Sequence, residues 1–328
     1  MTEIQDFGEV EHVVITVLVD NQADMIVKSG ERVKYFTETS LLAEHGFSAL
    51  IGLQPSGQRI LWDTAATPAA LMENVRRMKV DLKGVDVIAL SHGHWDHTGG
   101  LTAVLQAMDR RAEPREWSPE TTSAEVDDWV REHRVPVVAH PAAFRERWKV
   151  DKEGKKFGPT LPPPERTWEE LGAHIVRSEG PYRLAEGCWT TGYVPRRSFE
   201  TSGRSPDRYY RVDGRLLRDD LEDDQAIVVN LKDRGLVVVA GCAHAGIVNT
   251  VQYAREITGV DRVYAVLGGF HLAKAKPDEI DQTIAAVQSW APSLIAPCHC
   301  TGFEPICRFA TEMPNVFVRG VVGVTYTL

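Results

Sequence analysis

Along this chain, short runs of β-branched apolar residues alternate with stretches in which apolar residues recur at helical spacing. Residues 12–19, 49–53 and 58–63 are rich in valine, isoleucine and leucine, and they are predicted to be the first strands of a sheet. Residues 68–78 then carry apolar side chains at helical spacing, with an early proline that suits the start of a helix. The first part of the chain therefore predicts a sheet followed by a helix.

The second half of the chain repeats this alternation. It predicts an amphipathic helix at residues 277–290 and strands at residues 225–231, 235–240, 262–267 and 293–296. Between the halves the patterns are shorter, with a strand predicted at 136–139 and a strand pair at 174–177 and 188–191. With 328 residues, of which 43% are hydrophobic, the chain can form a sizeable core in one large α/β domain or in two smaller ones.

Three polar segments interrupt the hydrophobic pattern. Residues 109–134 are charged and contain prolines, so they are predicted to form a surface excursion. Residues 149–168 are rich in lysine, glycine and proline and are predicted to be a loop, of a length that often forms a lid or wall of an enzyme site. Residues 193–224 carry arginines that either bind an anionic substrate or pair with neighbouring acidic residues, at positions 196, 197, 204, 208, 211, 215 and 218.

Residues 85–101 read VDVIALSHGHWDHTGGL and place a group of polar side chains between a buried-strand pattern and a helix start. His92, His94, Asp96 and His97 supply three imidazoles and a carboxylate within six residues. Such donors suit a borderline cation such as Zn²⁺. A turn after a strand lets the first two histidines point one way and the other two residues another way, so the spacing predicts two adjacent metal positions. A histidine-rich surface loop is the alternative.

This His-x-His-x-Asp-His pattern, with Gly-Gly after it, resembles the signature of the metallo-β-lactamase fold superfamily. The resemblance implies an α/β (α+β) fold, a four-layer αββα sandwich with one or two metals at the shared edge of its two sheets. The motifs GCAHAGIVNT, GGFHL and PCHCTG make the chain similar to the branch labelled as related to dihydropteroate synthase or to ribofuranosylaminobenzene 5′-phosphate synthase. It is interpreted as a single domain over residues 1–328, with inserted loops near 109–134, 149–168 and 193–224.

Two further ligands are predicted in the second half. The strand at 235–240 runs directly into Cys242 and His244, which repeats the construction at His92. The resemblance implies a metal-bridging aspartate near this place, and Cys242 stands where that aspartate is expected. His244 is the favoured ligand and Cys242 the alternative, because a thiolate binds zinc although a buried cysteine is usually an apolar residue. The resemblance also implies that His299 is the last ligand.

Three more residues are candidates for roles near the metals. Asp63 ends a buried strand, where an unpaired carboxylate is costly, so it is predicted to brace the metal loop unless it lies in an exposed turn. His140, also at a strand end, is either a ligand or a hydrogen-bonded structural residue. His271 follows two glycines that permit a close approach of the backbone, so it is expected to bind metal or act as a general acid. Asp96 and His271 are the candidate catalytic residues.

Charge and cysteine content narrow the class of protein. The 37 basic and 46 acidic residues give a net charge of −9, which argues against a general nucleic-acid or membrane-surface binder. The N-terminus is acidic and has no apolar segment, and the chain has no run of eighteen apolar residues. The sequence therefore predicts neither export nor membrane insertion. Five cysteines fit a reducing compartment, so a cytoplasmic location is expected. The oligomeric state is not predicted.

The sequence thus predicts a binuclear zinc hydrolase, with Mn²⁺ or Fe²⁺ as alternative metals. Because zinc lowers the pKa of bound water from 15.7 to about 7, a hydroxide nucleophile is available at neutral pH. The substrate is expected to be a small, anionic molecule with an ester, lactone, amide or phosphoester bond. A pterin-pathway synthase of the ribofuranosylaminobenzene 5′-phosphate synthase type and a non-catalytic metal-binding sensor are the alternative functions.

Overall fold

The computed structural model describes residue 4 and residues 6–110 and 115–328. Its strands are β1 (His12–Val19), β2 (Val33–Tyr35), β3 (Ser48–Gln54), β4 (Arg59–Trp62), β5 (Val87–Ala89), β6 (Val135–Ala139), β7 (Arg147–Val150), β8 (Lys156–Thr160), β9 (Ala173–Arg177), β10 (Tyr182–Ala185), β11 (Cys188–Thr190), β12 (Arg208–Val212), β13 (Arg215–Arg218), β14 (Ala226–Leu231), β15 (Gly235–Ala240), β16 (Val263–Gly269), β17 (Leu294–Cys298) and β18 (Val324–Thr327). Its helices are α1 (Pro68–Arg77), α2 (Trp95–Thr98), α3 (Leu101–Met108), α4 (Ser123–His133), α5 (Glu165–Glu170), α6 (Ile247–Thr258), α7 (Pro277–Ser289) and α8 (Phe303–Glu312).

The strands form three sheets in the described part of the chain. The first has eight strands in the order β2-β18-β1-β3-β4-β5-β6-β9, and the second has six in the order β10-β11-β14-β15-β16-β17. Strands β13, β12, β7 and β8 make a third, four-stranded sheet. Parallel pairing is confined to β4-β5-β6-β9 in the first sheet and β15-β16-β17 in the second, and helices follow several of these strands, as parallel connections require.

Strand β15 shows why the central strands are continuously apolar. Val237 and Val239 pack in the core between the two large sheets, whereas Leu236 and Val238 face the helices on the other side. Since side chains alternate along a strand, a strand that is buried on both faces needs apolar residues at every position. The local sequence therefore specifies a strand in the middle of the fold.

In the described residues, three large hydrophobic cores lie between four layers. One core fills the space between the two large sheets, with Trp62 from the first sheet and Leu267 from the second. A second core packs Leu71 of α1 and Val104 of α3 against the outer face of the first sheet. A third packs helices α6, α7 and α8 against the second sheet. This order of helix, sheet, sheet and helix confirms the αββα sandwich that the resemblance implied.

Two sequence predictions of secondary structure are wrong. Residues 149–168, predicted to be loop, contain β8 and α5. The sequence did not predict β8 because every residue of this strand is exposed and its pairing with β7 leaves no hydrophobic pattern. The strands predicted as a pair at 174–177 and 188–191 lie in different sheets, since β9 pairs with β6 whereas β11 pairs with β10 and β14.

Residues 109–134 also contain a helix that the sequence analysis did not predict. Helix α4 begins at a capping box in which Thr122 and Glu125 bond each other's backbone N–H groups. Residues 111–114 lie outside the described residues.

The strand ends of both large sheets meet at one edge. Trp62 at the end of β4 pairs with Ala89 at the end of β5, and Gly269 of β16 pairs with Cys298 of β17. The segments that follow β4, β5, β15, β16 and β17 carry Asp63, His92, Cys242, His271 and His299, in that order.

No helix of the described residues combines the length and the apolar character that a membrane span needs.

Candidate metal centre

The loop after β5 turns directly into the short helix α2, which separates its ligands into two groups. His94 is the last residue before α2, and its Nδ1 atom lies 2.9 Å from Nε2 of His92. Asp96 and His97 lie within α2, where the Oδ2 atom of Asp96 is 3.6 Å from Nε2 of both His97 and His299. The two directions predicted from the spacing are therefore present in the structure.

The first cluster of donor atoms combines the α2 residues with residues from the second sheet. One atom from each of Asp96, His97, Cys242 and His299 lies within 4.8 Å of the others, and all four residues are buried. Nε2 of His97 is 3.2 Å from Sγ of Cys242. An oxygen, two nitrogens and a sulfur at such distances fit a zinc-like cation.

A second cluster combines one histidine of the loop with two residues that follow β15. Single atoms of His92, Cys242 and His244 also lie within 4.8 Å of one another. The ring of His94 stands next to them, with its centroid 4.5 Å from that of His92 and 5.0 Å from that of His244. The structure thus brings together all six residues predicted as ligands from the sequence, and places Cys242 in both clusters.

His271 lies in a third cluster with Cys242 and Cys300, whose donor atoms are again within 4.8 Å of one another. Its backbone has a φ of 49°, in the left-handed region. The ring centroid of His271 is 4.1 Å from that of His244. His271 therefore borders the second cluster, as its position after two glycines predicted.

Three of these histidines, His97, His244 and His299, are each anchored through Nδ1, which leaves Nε2 for the cluster. Nδ1 of His97 is 2.7 Å from Oδ2 of Asp63, Nδ1 of His299 is 3.0 Å from Oδ1 of Asn21, and Nδ1 of His244 is 3.2 Å from the Gly203 carbonyl oxygen. Partners of this kind orient histidines that bind metals through the other nitrogen.

Four histidine nitrogens at the clusters lack hydrogen-bond partners among the described residues. The buried Nε2 atoms of His94, His244 and His299 have no hydrogen-bond partner among the described residues, and neither has Nδ1 of His271. Buried polar atoms normally have partners because leaving one unpaired costs free energy. These residues therefore fit a bound metal, which would satisfy these nitrogens.

Burial and local charge set the protonation of the cluster. Burial lowers the pKa of His92 and His244 well below its usual value, and burial together with the Arg147 guanidinium lowers the pKa of His94 to about 3. Burial opposes a charge on His97, but Asp63 and Asp96 beside it raise its pKa to about 9. Neutral imidazoles are the form that binds metals, so His92, His94 and His244 are already in that form at neutral pH.

Asp63 and His140 have different places in the structure. Asp63 is fully buried, and its Oδ1 atom accepts a hydrogen bond from the Ser91 backbone N–H at 2.7 Å, so it braces both His97 and the start of the metal loop. His140 is not in any of the three clusters: its Nδ1 atom accepts a hydrogen bond from the Ala142 N–H. It lines a separate cavity of about 430 Å³.

Several neighbours of the site carry no motif that would reveal them in the sequence. His45 lies with Nε2 3.4 Å from Oδ2 of Asp96. Asp223 accepts a hydrogen bond from the Gly93 N–H at 2.8 Å, and buried Arg147 holds the same carboxylate. Their acidic and basic character was visible in the sequence, but the long-range pairing that brings them to the metal loop was not.

The clusters open into a cavity of about 520 Å³. Basic side chains line it from two directions, namely Arg145, Arg147, Arg208 and Lys274. Arg147 and Arg145 are paired with carboxylates, whereas Arg208 and Lys274 form no ion pair with any carboxylate of the described residues. Of the arginine-rich segment, Arg208 lines the cavity, whereas other arginines form surface ion pairs, such as Arg211 with Glu146.

Comparison with known proteins places this site in a family. A family model described as a beta-lactamase superfamily domain matches residues 58–167. The 7,8-dihydropterin-6-methyl-4-(beta-D-ribofuranosyl)-aminobenzene-5′-phosphate synthase of Methanocaldococcus jannaschii is 31% identical over 281 residues, which cover 84% of this chain and 87% of the relative. The chain belongs to the metallo-β-lactamase superfamily. The resemblance seen in the motifs, to the superfamily and to its synthase-labelled branch, is confirmed.

Two further proteins match along most of the chain. An uncharacterized protein of the same organism is 29% identical over 318 residues, 94% of this chain and 98% of that protein. The crystal structure of Tm1679, described as a metal-dependent hydrolase of the beta-lactamase superfamily, covers 96% of this chain and 98% of its own, with a TM-score of 0.69 and 24% identity. That likeness shows the shared fold.

Proposed function

We propose that this member of the superfamily is a binuclear metal-dependent hydrolase that acts on a small anionic substrate. One observation carries the proposal: buried His244 and His299, each anchored through Nδ1, direct unpaired Nε2 atoms at a cavity that also holds two cations without an ion pair among the described residues. His92, His94 and His244 would hold one metal, and Asp96, His97 and His299 the other. Bound metals would supply a Lewis acid and a water of lowered pKa.

The residues around the cavity suit the binding of an anion with an apolar part. Arg208 and Lys274 are free to pair with a phosphate or carboxylate of the substrate. Trp95 and Leu161 line the same cavity, and their side chains are 57% and 76% exposed. An exposed tryptophan beside cations offers a flat apolar surface to a ring of the substrate.

His271 is the proposed proton donor to the leaving group. It lines the cavity next to His244, and imidazole is the side chain best suited to proton transfer near neutral pH. Asp96 would act as a metal ligand, and its Oδ2 atom lies 3.6 Å from Nε2 of both His97 and His299.

A second candidate is a synthase that joins a dihydropterin to a ribofuranosylaminobenzene phosphate, as the name of the 31% identical relative describes. The same cations would bind the phosphates of such substrates. If the dihydropterin is supplied as its diphosphate ester, formation of the condensation product with release of pyrophosphate from that ester would single out this activity, whereas the hydrolase would release a product of water addition.

The deciding experiment measures metal per chain and turnover on the same samples. Three samples are compared: the native protein, His94→Ala, and the control His174→Ala, which alters an exposed residue of β9. Each is assayed with ester, lactone and phosphoester substrates, and with the two substrates of the synthase reaction. We expect about two metals and turnover in the native protein and the control, and loss of both in His94→Ala. Absence of metal, or turnover that persists in His94→Ala, would refute the proposal. Tightly bound metal without any turnover would favour a metal-binding sensor.

A further inference from the structure

We propose that the thiolate of Cys242 bridges the two metal ions, so that the centre is joined through sulfur; this inference rests on the proposed binuclear function. Cys242 is the one residue that all three donor clusters of the described chain share. The first cluster otherwise contains Asp96, His97 and His299, and the second contains His92 and His244. A donor atom that lies within 4.8 Å of both sets is placed between them. A thiolate has enough lone pairs to bind two cations.

The surroundings of Cys242 differ from those of the other buried cysteines. Cys188 and Cys298 pack in the apolar core between the two sheets. Cys242 is only 2% exposed, yet its sulfur faces Nε2 of His97 at 3.2 Å and belongs to none of the hydrophobic cores of the described residues. A cysteine that merely filled space would be expected among apolar neighbours.

Independent support comes from the histidines on either side of the sulfur. His244 and His299 are 3% and 4% exposed, and their Nε2 atoms lack hydrogen-bond partners among the described residues. His244 shares a donor cluster with Cys242 on one side, and His299 shares the other cluster. Cations between the sulfur and these nitrogens would satisfy both orphaned atoms.

The backbone holds Cys242 in this place. The preceding Gly241 has no room for a side chain, because an added Cβ would lie 2.2 Å from Oγ of Ser91 and 2.8 Å from Oδ2 of Asp63. An added Cβ at Gly269 would lie 3.2 Å from the Cα of Cys242. The close approach at Gly241 and Gly269 therefore fixes the backbone of Cys242 next to the loop that carries His92 and His97.

A sulfur bridge has a consequence for metal choice. Thiolate ligands favour Zn²⁺ over Mg²⁺ or Mn²⁺, which prefer oxygen donors. A centre in which both ions touch sulfur would therefore select zinc or Co²⁺ more strongly than one joined by a carboxylate.

X-ray absorption at the metal edge of the protein loaded with Zn²⁺ or Co²⁺ tests the proposal without an activity assay. A bridging thiolate gives about one sulfur per metal at roughly 2.3 Å, whereas a terminal thiolate gives about one sulfur for every two metals. The nearest competing thiol is Cys300, so Cys300→Ser is the matched control. We expect about one sulfur per metal in the native protein and in Cys300→Ser, and none in Cys242→Asp, whose carboxylate is expected to retain both metals.

Other results would overturn the inference. Two metals without sulfur, one sulfur for every two metals, or loss of the sulfur signal in Cys300→Ser would each exclude a Cys242 bridge while leaving the binuclear function intact. A native protein that binds no metal would refute both the bridge and the proposed function. The native protein and Cys300→Ser decide the question even if the Cys242→Asp variant does not fold.

Discussion

Asp63 and His97 form a fully buried pair in which Oδ2 of the carboxylate lies 2.7 Å from Nδ1 of the imidazole. The pair leaves Nε2 of His97 directed at Cys242 and Asp96. Asp63 comes from the end of β4 and His97 from α2, so one contact ties the first sheet to the metal loop. The carboxylate both orients the ring and supports positive charge beside it.

Asp63→Asn is expected to weaken metal binding by about 10- to 100-fold, the range found when carboxylate partners of metal-binding histidines are changed. The amide keeps the shape of the side chain but removes the charge that fixes the His97 ring. Competition with a chromophoric chelator measures the affinity. Asp81→Asn is the control, since Asp81 is 68% exposed. Equal affinities in the two variants would show that Asp63 does not brace the site.

Buried Arg147 is expected to be a strong contributor to stability. Its guanidinium lies 2.7 Å from Asp219 and 2.8 Å from Asp223, and both carboxylates are fully buried. Arg147→Met would leave these charges without a cation, which typically costs about 3–5 kcal/mol. Urea unfolding, monitored by circular dichroism, measures the free energy of unfolding.

The surface pair of Arg211 with Glu146 provides the comparison for Arg147. The side chain of Arg211 is 50% exposed, so Arg211→Met is expected to cost about 0–1 kcal/mol. Similar losses in Arg147→Met and Arg211→Met would mean that the buried network contributes little. Because Asp223 also accepts the Gly93 N–H, Arg147→Met is expected to weaken metal binding as well.

The sequence pointed to the candidate metal ligands because they follow recognisable buried strands. His92, Cys242 and His299 stand within three residues of the ends of strands that are apolar at nearly every position, and strand ends of one sheet meet at a common edge. The candidate ligands His92, His94, Asp96 and His97 lie within six residues, so their proximity could be predicted without knowing the tertiary fold. The αββα architecture followed from the resemblance that these motifs carried.

The third sheet and the braces of the site could not be predicted in this way. Strand β8 pairs with β7 and is exposed along its length, so no alternation of apolar and polar residues marks it. The contact between Arg147 and Asp223 joins residues 76 positions apart, and many other arginine and aspartate residues of the chain would be equal candidates. Local patterns encode burial, whereas such pairings depend on the folded arrangement.

The unpaired cations of the cavity are expected to control affinity for anionic ligands. Arg208→Ala and Lys274→Ala each remove a charged contact worth about 1.5–3 kcal/mol, or roughly 10- to 100-fold in affinity. Inorganic pyrophosphate is the probe, and isothermal titration calorimetry at low salt measures its binding. Arg215→Ala, on exposed β13, should leave binding unchanged. Pyrophosphate binding that is the same in all three variants would place the anion elsewhere.

Gly93, between the two histidines of the first motif, is expected to tolerate no side chain. An added Cβ would lie 2.0 Å from the Ala143 carbonyl oxygen, and backbone atoms cannot move aside without shifting the loop. Gly93→Ala should therefore displace His92 and His94 together and lower the metal content, since both are proposed to hold the same ion. Gly30→Ala is the control, because its Cβ would meet no atom within 4 Å. Elemental analysis and thermal unfolding of both variants, in parallel, separate loss of metal from loss of fold. Full metal content in Gly93→Ala would show that the loop adjusts and that close packing against residue 143 is not needed to position the ligands.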